Sequence, residues 1–175
     1  ESFDLLIDSK KIPNEKYNSL VGMMSYVSQN IMLTNDSLLQ NICLGEGENY
    51  KKDKLDLAIK VSNLDNVITT LKDGLNTKIG DKGSTLSGGQ IQRVGIARAI
   101  YFDKPIILLD EATNSLDFKT ELKVLKSLLL LNGKSIIFVT HNINNIQMFD
   151  KLYLVKNNKI NYHGDPKNFE KEKYF

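Results

Sequence analysis

Two short stretches decide how this chain folds: TLSGGQ at residues 85–90 and, one predicted helix later, IILLDE at residues 106–111. The first begins a helix with two consecutive glycines, where bare N–H groups and the positive end of the helix dipole favour a phosphate. The second is an apolar strand that ends in two adjacent carboxylates, which suit a metal ion and a water molecule. Both also have ordinary interpretations: Ser87 and Gln90 fit a capping box, and the carboxylates fit a solvated strand end.

The composition is that of one soluble globular domain. The chain has 175 residues, with 41% hydrophobic and 25% charged residues. Its net charge of +2 is too small to indicate a nucleic-acid partner, and the single Cys43 excludes an internal disulfide. No apolar run approaches the roughly 18 residues of a membrane span. The first residues are typical of a strand rather than a signal peptide, so any membrane-embedded part is expected elsewhere.

Alternating helices and strands follow the first stretch, and they predict a parallel sheet wrapped by helices. Two of the predicted strands are nearly uninterrupted Ile, Leu, Val and Phe, so we expect both of their faces to be buried. The segment 17–22 is left unassigned, and 73–85 is predicted as a loop. The predicted strands are 3–8, 24–28, 106–110, 135–140, 152–155 and 159–162, the last two forming a hairpin. The predicted helices are 36–43, 52–64, 65–71, 88–102, 119–131 and 143–149.

Further polar residues follow predicted strands or begin predicted helices. Gln29 follows the strand at 24–28, and His141 follows the strand at 135–140. Because parallel strands bring their carboxyl ends to one edge of the sheet, we expect His141 beside Asp110 and Glu111. These two carboxylates point to opposite sides of the strand end, so they can do different jobs. Asp117 fits a position near a helix N-cap. Taken singly, each of these residues is equally well explained as a structural or loop residue.

Together these elements resemble the ATPase domain of ATP-binding cassette (ABC) proteins, in family order and over essentially the whole chain. They correspond to a Q-loop at Gln29, a signature motif at 86–90, a Walker B strand at 106–111, a D-loop at 115–117 and an H-loop at His141. The family fold is a P-loop NTPase-like parallel sheet wrapped by helices, with a helical subdomain that carries the signature. The resemblance implies such a subdomain at about 30–103, with the Q-loop, X-loop and signature, and the rest of the core at about 104–175.

One family element, the phosphate-binding P-loop (Walker A), is absent from the sequence. The Gly-Lys-Ser at 133–135 is a false match, because the motif needs a glycine at position 128, which is a leucine. It also lies between a predicted helix and a predicted strand, the reverse of the P-loop order. The resemblance therefore implies a domain truncated after its Walker A region. The fragment alone is expected to be inactive.

Exporters are the subfamily that the chain resembles. Residues 26–30, with Asn41 and Ile42 after them, are similar to the exporter Q-loop region. Residues 77–83 are similar to the exporter X-loop, with Asp81 where an acidic residue is usual. The resemblance implies ATP-driven export of a substrate or lipid, with ATP and Mg²⁺ as cofactors.

The resemblance also implies a role for each site residue. Asp110 would support Mg²⁺, Glu111 would act as general base and His141 would brace the γ-phosphate. Gln29 would touch the metal and the water and report their presence to a membrane domain. The nucleotide-contacting residues would be Ser87, Gly88, Gly89, Gln90 and Asp117, of which Asp117 would link the two sites of a dimer. On this basis Gly89→Asp is expected to leave folding intact and to abolish ATP-driven dimer closure.

The implied partners are a second ABC ATPase domain, in a homodimer or heterodimer, and a transmembrane domain contacted through Gln29 and Asp81. The implied location is the cytoplasmic face of a bacterial inner membrane. One alternative is a soluble ABC ATPase of DNA repair or chromosome maintenance, although the chain has no sustained heptads for the coiled coil usual there. A second alternative is an inactive, truncated binding module.

Overall fold

The structure is a computed structural model that describes residues 6–7, 10–80 and 85–170. The chain divides into two compact units, residues 1–139 and 140–175. The strands are β1 (Leu6–Ile7), β2 (Lys10–Lys11), β3 (Met24–Val27), β4 (Ile106–Asp110), β5 (Ser135–Val139), β6 (Leu152–Lys156) and β7 (Lys159–Gly164). The α-helices are α1 (Tyr17–Val21), α2 (Leu38–Cys43), α3 (Lys52–Val61), α4 (Asp65–Thr70), α5 (Gly88–Tyr101) and α6 (Phe118–Leu129). Among these residues, no helix is both long and apolar enough to cross a bilayer.

The first unit is organised around a parallel sheet of order β3-β4-β5. Leu108 in the central strand pairs with Tyr26 on one side and Ile137 on the other. The three strands therefore end at the same edge, as the sequence predicts for a parallel sheet. The predicted strand at 3–8 lies mostly outside the described residues. Its described part, β1, pairs antiparallel with β2.

One face of this sheet is buried and the other is largely exposed. Val27, Ile107 and Leu109 join a core that includes residues of α2, α3, α5 and α6. On the opposite face, the side chains of Ile137 and Val139 are 47% and 45% exposed. The expectation that both faces of the inner strands are buried is therefore wrong for the described residues, because the helices pack on the face of Ile107 and Leu109. The other face is half-buried in β4 and exposed in β5.

The helices of the first unit begin and end close to their predicted limits, because their capping signals are local. Ser37 caps α2, Ser87 caps α5 and Asp117 caps α6, each with its side-chain oxygen accepting a backbone N–H. The apolar face predicted for α3 is buried, with Leu55 and Ala58 at 2% and 0% exposure. The unassigned segment at 17–22 contains α1.

The second unit contains the predicted hairpin, in which β6 pairs antiparallel with β7. Asn157 and Asn158 both have positive φ, 52° and 57°, as a two-residue hairpin turn requires. The short helix predicted at 143–149 is a 3₁₀ helix, Ile143–Met148. It begins after Asn142, whose side chain accepts the N–H of Asn144.

Candidate functional site

A cluster of polar side chains lies where β3 and β4 end. The Gln29 side chain donates a hydrogen bond from Nε2 to Oε2 of Glu111, at 2.9 Å, and Asn114 donates to the same oxygen at 2.7 Å. Glu111 has a φ of 50°, and its N–H donates to Val139 O of β5 at 3.0 Å. This left-handed conformation ends the strand and is uncommon for a residue other than glycine. Gln29 and Glu111, singled out separately in the sequence, are therefore in direct contact.

Asp110 has a different partner from Glu111. Its Oδ2 accepts a hydrogen bond from the Tyr26 hydroxyl at 2.8 Å, and that bond raises the pKa of the Tyr26 phenol. Tyr26 lies on the exposed face of the sheet, with 58% of its surface accessible. Two neighbouring carboxylates are thus held by separate groups, an arrangement that allows them separate chemical roles.

The start of α5 forms the capping box that the sequence allows. Gln90 Oε1 accepts the Ser87 N–H at 2.8 Å, and Ser87 Oγ accepts the Gln90 N–H at 3.3 Å. Both side chains therefore have local partners. This geometry leaves the phosphate-binding interpretation of Ser87 and Gln90 as a prediction.

The two glycines at the start of α5 lie against the loop at 115–117. A Cβ added at Gly89 would lie 2.7 Å from Ser115 O and 3.3 Å from Leu116 Cδ2. A Cβ at Gly88 would make only ordinary contacts of 3.6 Å with the Ser115 side chain. Gly89 is therefore required by close packing within this chain, a reason that phosphate binding alone does not supply.

Asp117 lies at the end of this loop and begins α6. Its Oδ1 accepts the N–H groups of Lys119 and Thr120, both at 3.1 Å. The hydrogen bonds from Thr120, followed by the one from Lys119, lower the pKa of the Asp117 carboxyl. Asp117 is thus an N-cap, and its role across a dimer remains a prediction.

For two further site residues the placement stays a prediction. His141 belongs to the second unit, where its side chain is exposed, and its placement beside Asp110 and Glu111 remains a prediction. Asp81, proposed to contact a membrane domain, lies outside the described residues.

Sequence analysis missed three residues that support the cluster. Tyr26 holds Asp110, Asn114 holds Glu111, and the buried Gln92 accepts the Ser115 N–H at 2.8 Å. None of the three stands out in the sequence: Gln92, for example, lies between Ile91 and Arg93 in a mixed stretch of α5. The contacts of Tyr26 with Asp110 join residues far apart in sequence, so no local pattern reports them.

A parallel sheet, a capped helix with a double glycine and a strand ending in two carboxylates define an α/β nucleotide-binding fold. A profile of the family described as ABC transporter matches residues 3–114. The chain therefore belongs to the ABC transporter family, which implies nucleotide binding. This result and the structural similarity below confirm both the resemblance and the predicted fold class.

Similar proteins include flippases and an exporter. The "ATP-dependent lipid A-core flippase" of Burkholderia pseudomallei (strain 1710b) is 36% identical over 155 residues, which are 88% of this chain and 26% of the relative. That of Wigglesworthia glossinidia brevipalpis is 36% identical over 162 residues, 92% of this chain and 28% of the relative. A solved structure of "a bacterial Atm1-family ABC exporter with ATP bound" has a TM-score of 0.85 and 30% identity, covering 94% of this chain and 29% of that chain. The chain thus spans little more than a quarter of the length of these proteins, and none of them favours the DNA-repair alternative.

Proposed function

We propose that this chain is the ATP-binding and ATP-hydrolysing domain of an exporter-type ABC transporter. The observation that carries the proposal is the 2.9 Å contact between Gln29 and Glu111 at the carboxyl edge of the parallel sheet. An amide that orients one carboxylate, beside a second carboxylate with its own partner, provides one group for a water and one for a metal. The exporter assignment is supported by the flippase relatives and the exporter structure.

In this proposal Glu111 accepts a proton from the attacking water, and Gln29 and Asn114 fix the direction of its carboxylate. Asp110 supports Mg²⁺ directly or through water, and Tyr26 fixes its orientation. Bound Mg²⁺ would neutralise charge on the transferred phosphate. Gln29 would also touch the metal, and nucleotide and water would supply the other Mg²⁺ ligands. His141 would brace the γ-phosphate.

The partner in this proposal is a second ATPase domain that closes head to tail against the first. The start of α5 would present its N–H groups and dipole to a nucleotide held by the other domain's P-loop. The contacting residues would be Ser87, Gly88, Gly89 and Gln90, with Asp117 linking the two sites. Either an identical or a related domain would fit.

A transmembrane domain is the other proposed partner, contacted through Gln29 and Asp81. The ATPase domain would then lie at the cytoplasmic face of a bacterial membrane. Residues 30–103 would form the helical subdomain that faces this partner, and 104–175 the remaining part of the core. The names of the relatives, all flippases or exporters, support this arrangement.

The decisive experiment is Glu111→Gln in the intact transporter. Because the amide keeps the shape and loses the base, turnover should fall by at least about 100-fold while ATP binding persists. ATP hydrolysis is measured by phosphate release, and ATP binding with a fluorescent analogue. The matched control is Glu15→Gln, the same change at an exposed position outside the site, which should turn over like the wild type. Hydrolysis by Glu111→Gln within a fewfold of the control would remove Glu111 as the base.

A further inference from the structure

The loop at 115–117 and the start of α5 are joined inside this chain by two independent contacts. One is steric: Gly89 lies so close to Ser115 that a Cβ there would come within 2.7 Å of the Ser115 carbonyl oxygen. The other is polar: the Gln92 side chain accepts the Ser115 N–H at 2.8 Å. Both contacts are made by one face of α5, from residues three apart, and both hold the backbone of Ser115, one at its carbonyl oxygen and the other at its N–H.

Gln92 is buried, with 5% of its surface exposed, and its carbonyl oxygen accepts the N–H of the exposed Ser115 in a part-buried hydrogen bond. Removing that acceptor would deprive the Ser115 N–H of this partner, and one hydrogen bond contributes about 0.5–1.5 kcal/mol. The loop continues into Asp117, which caps α6, and Leu116 N–H donates to Thr113 O at 2.9 Å. The loop is therefore fixed at both ends, and Gln92 holds its middle.

Two elements that the proposed function places at the partner's nucleotide are thus tied to each other by a residue with no role in that function. We propose that Gln92 is a positioning residue that holds the loop at 115–117 on the start of α5, so that both reach the partner domain as one rigid surface. The inference rests on the proposed function. If this surface is already ordered, the two domains lose less conformational entropy when they close, so closure should occur at a lower ATP concentration.

The first test measures how firmly Gln92 holds the loop at 115–117 in the absence of nucleotide. The method is hydrogen exchange with mass spectrometry of the intact transporter. Gln92→Leu removes the acceptor and keeps the volume, whereas Gln92→Glu keeps both the length and an acceptor oxygen. Peptides covering residues 113–118 should exchange about tenfold faster in Gln92→Leu, the effect expected for one lost hydrogen bond, and at the wild-type rate in Gln92→Glu. Wild-type exchange in Gln92→Leu would overturn the inference.

The second test measures turnover against ATP concentration in the same two variants. Gln92→Leu should raise the KM for ATP severalfold and leave kcat within about twofold, because saturating ATP restores closure. Gln92→Glu should restore the wild-type KM, which a general loss of folding could not explain. An unchanged KM in Gln92→Leu, or equal defects in both variants, would overturn the inference. A wild-type transporter without ATPase activity would instead refute the proposed function. The hydrogen-exchange experiment would still test whether Gln92 holds the loop at 115–117.

Discussion

Two loops leave the carboxyl edge of the sheet and pack on the same helix, α5, through different kinds of contact. The loop after β3, residues 28–34, and the loop after β4, residues 114–117, each meet α5 at one glycine and one polar side chain three residues later. At the first loop these are Gly95 and Arg98; at the second they are Gly89 and Gln92. The repeated arrangement indicates that α5 supports both loops at the carboxyl edge of the sheet.

The difference lies in what each glycine accommodates. Gly89 faces a backbone carbonyl, that of Ser115, which cannot move without moving the loop. Gly95 faces the Ile31 side chain, whose Cδ1 would lie 2.5 Å from an added Cβ and which can rotate. Arg98 then donates to Met32 O at 3.1 Å. The loop after β4 therefore meets its glycine through backbone, whereas the loop that carries Gln29 meets its glycine through the Ile31 side chain.

The largest expected effect comes from Gly89→Ala. The added Cβ meets backbone, so we expect a loss of about 1–3 kcal/mol in the free energy of unfolding, as overpacking typically costs. Gly88→Ala is the matched control, since its Cβ would make ordinary contacts, and its stability should change by less than about 1 kcal/mol. Thermal unfolding of both variants of the intact protein checks this. Equal melting temperatures of the two variants would show that the loop after β4 moves to accommodate the added Cβ. The proposed difference between the backbone contact at Gly89 and the side-chain contact at Gly95 would then be wrong.

The same geometry revises the expectation for Gly89→Asp. From sequence alone, an acidic residue in the first turn should favour the helix, so folding was expected to survive. Because Ser115 O would lie 2.7 Å from a Cβ at Gly89, any side chain there clashes with the loop, whatever its charge. We therefore expect Gly89→Asp to lower stability as well as activity, so lost activity in this variant cannot by itself identify a phosphate site.

Gly95→Ala should change the free energy of unfolding by less than Gly89→Ala does, because a packing cost and a gain in helix propensity oppose each other. Overpacking against Ile31 costs about 1–3 kcal/mol, and replacing a mid-helix glycine by alanine returns about 1 kcal/mol. The matched test is the double variant with Ile31→Ala, which removes the contacting side-chain atoms. Ile31→Ala should cost less stability in the Gly95→Ala background than in the wild type, as a double-mutant cycle of unfolding free energies would measure. Strict additivity would show that the two residues do not interact.

Much of the fold could be predicted from sequence because its signals are local. Ser87 and Asp117 mark helix starts through side chains that bond the next few N–H groups, and the apolar run at 106–110 marks the central strand. The family resemblance gives Gln29 and Glu111 separate roles and does not predict the hydrogen bond between them. The docking of Ser115 on Gly89, and of Tyr26 on Asp110, depends on how distant segments pack, and no local pattern of residue types encodes that distance.

The smallest expected effect is a pH dependence of the melting temperature, which we expect from the loop after β4 and not from the loop after β3. The loop after β4 ends in Asp117, whose pKa is lowered by its hydrogen bonds from Thr120 and Lys119, whereas residues 28–34 contain no acidic side chain. A lowered pKa means that the carboxylate stabilises the fold at pH values above the ordinary aspartate range, near pH 4, and that this contribution is lost as the pH falls through the native value. Asp117→Asn keeps an acceptor for the cap and does not titrate.

The melting temperature of wild type should therefore exceed that of Asp117→Asn most at pH 7, and the gap should narrow below about pH 4 as Asp117 protonates. Asn30→Ala, in the loop after β3, is the control: its difference from wild type should not change over the same pH range, because it removes no titrating group. A melting-temperature difference between wild type and Asp117→Asn that is the same at pH 7 and at pH 3 would mean that the Asp117 charge contributes nothing to the stability of the fold. The difference between the two loops would then rest on the steric contact of Gly89 and the hydrogen bond of Gln92 alone.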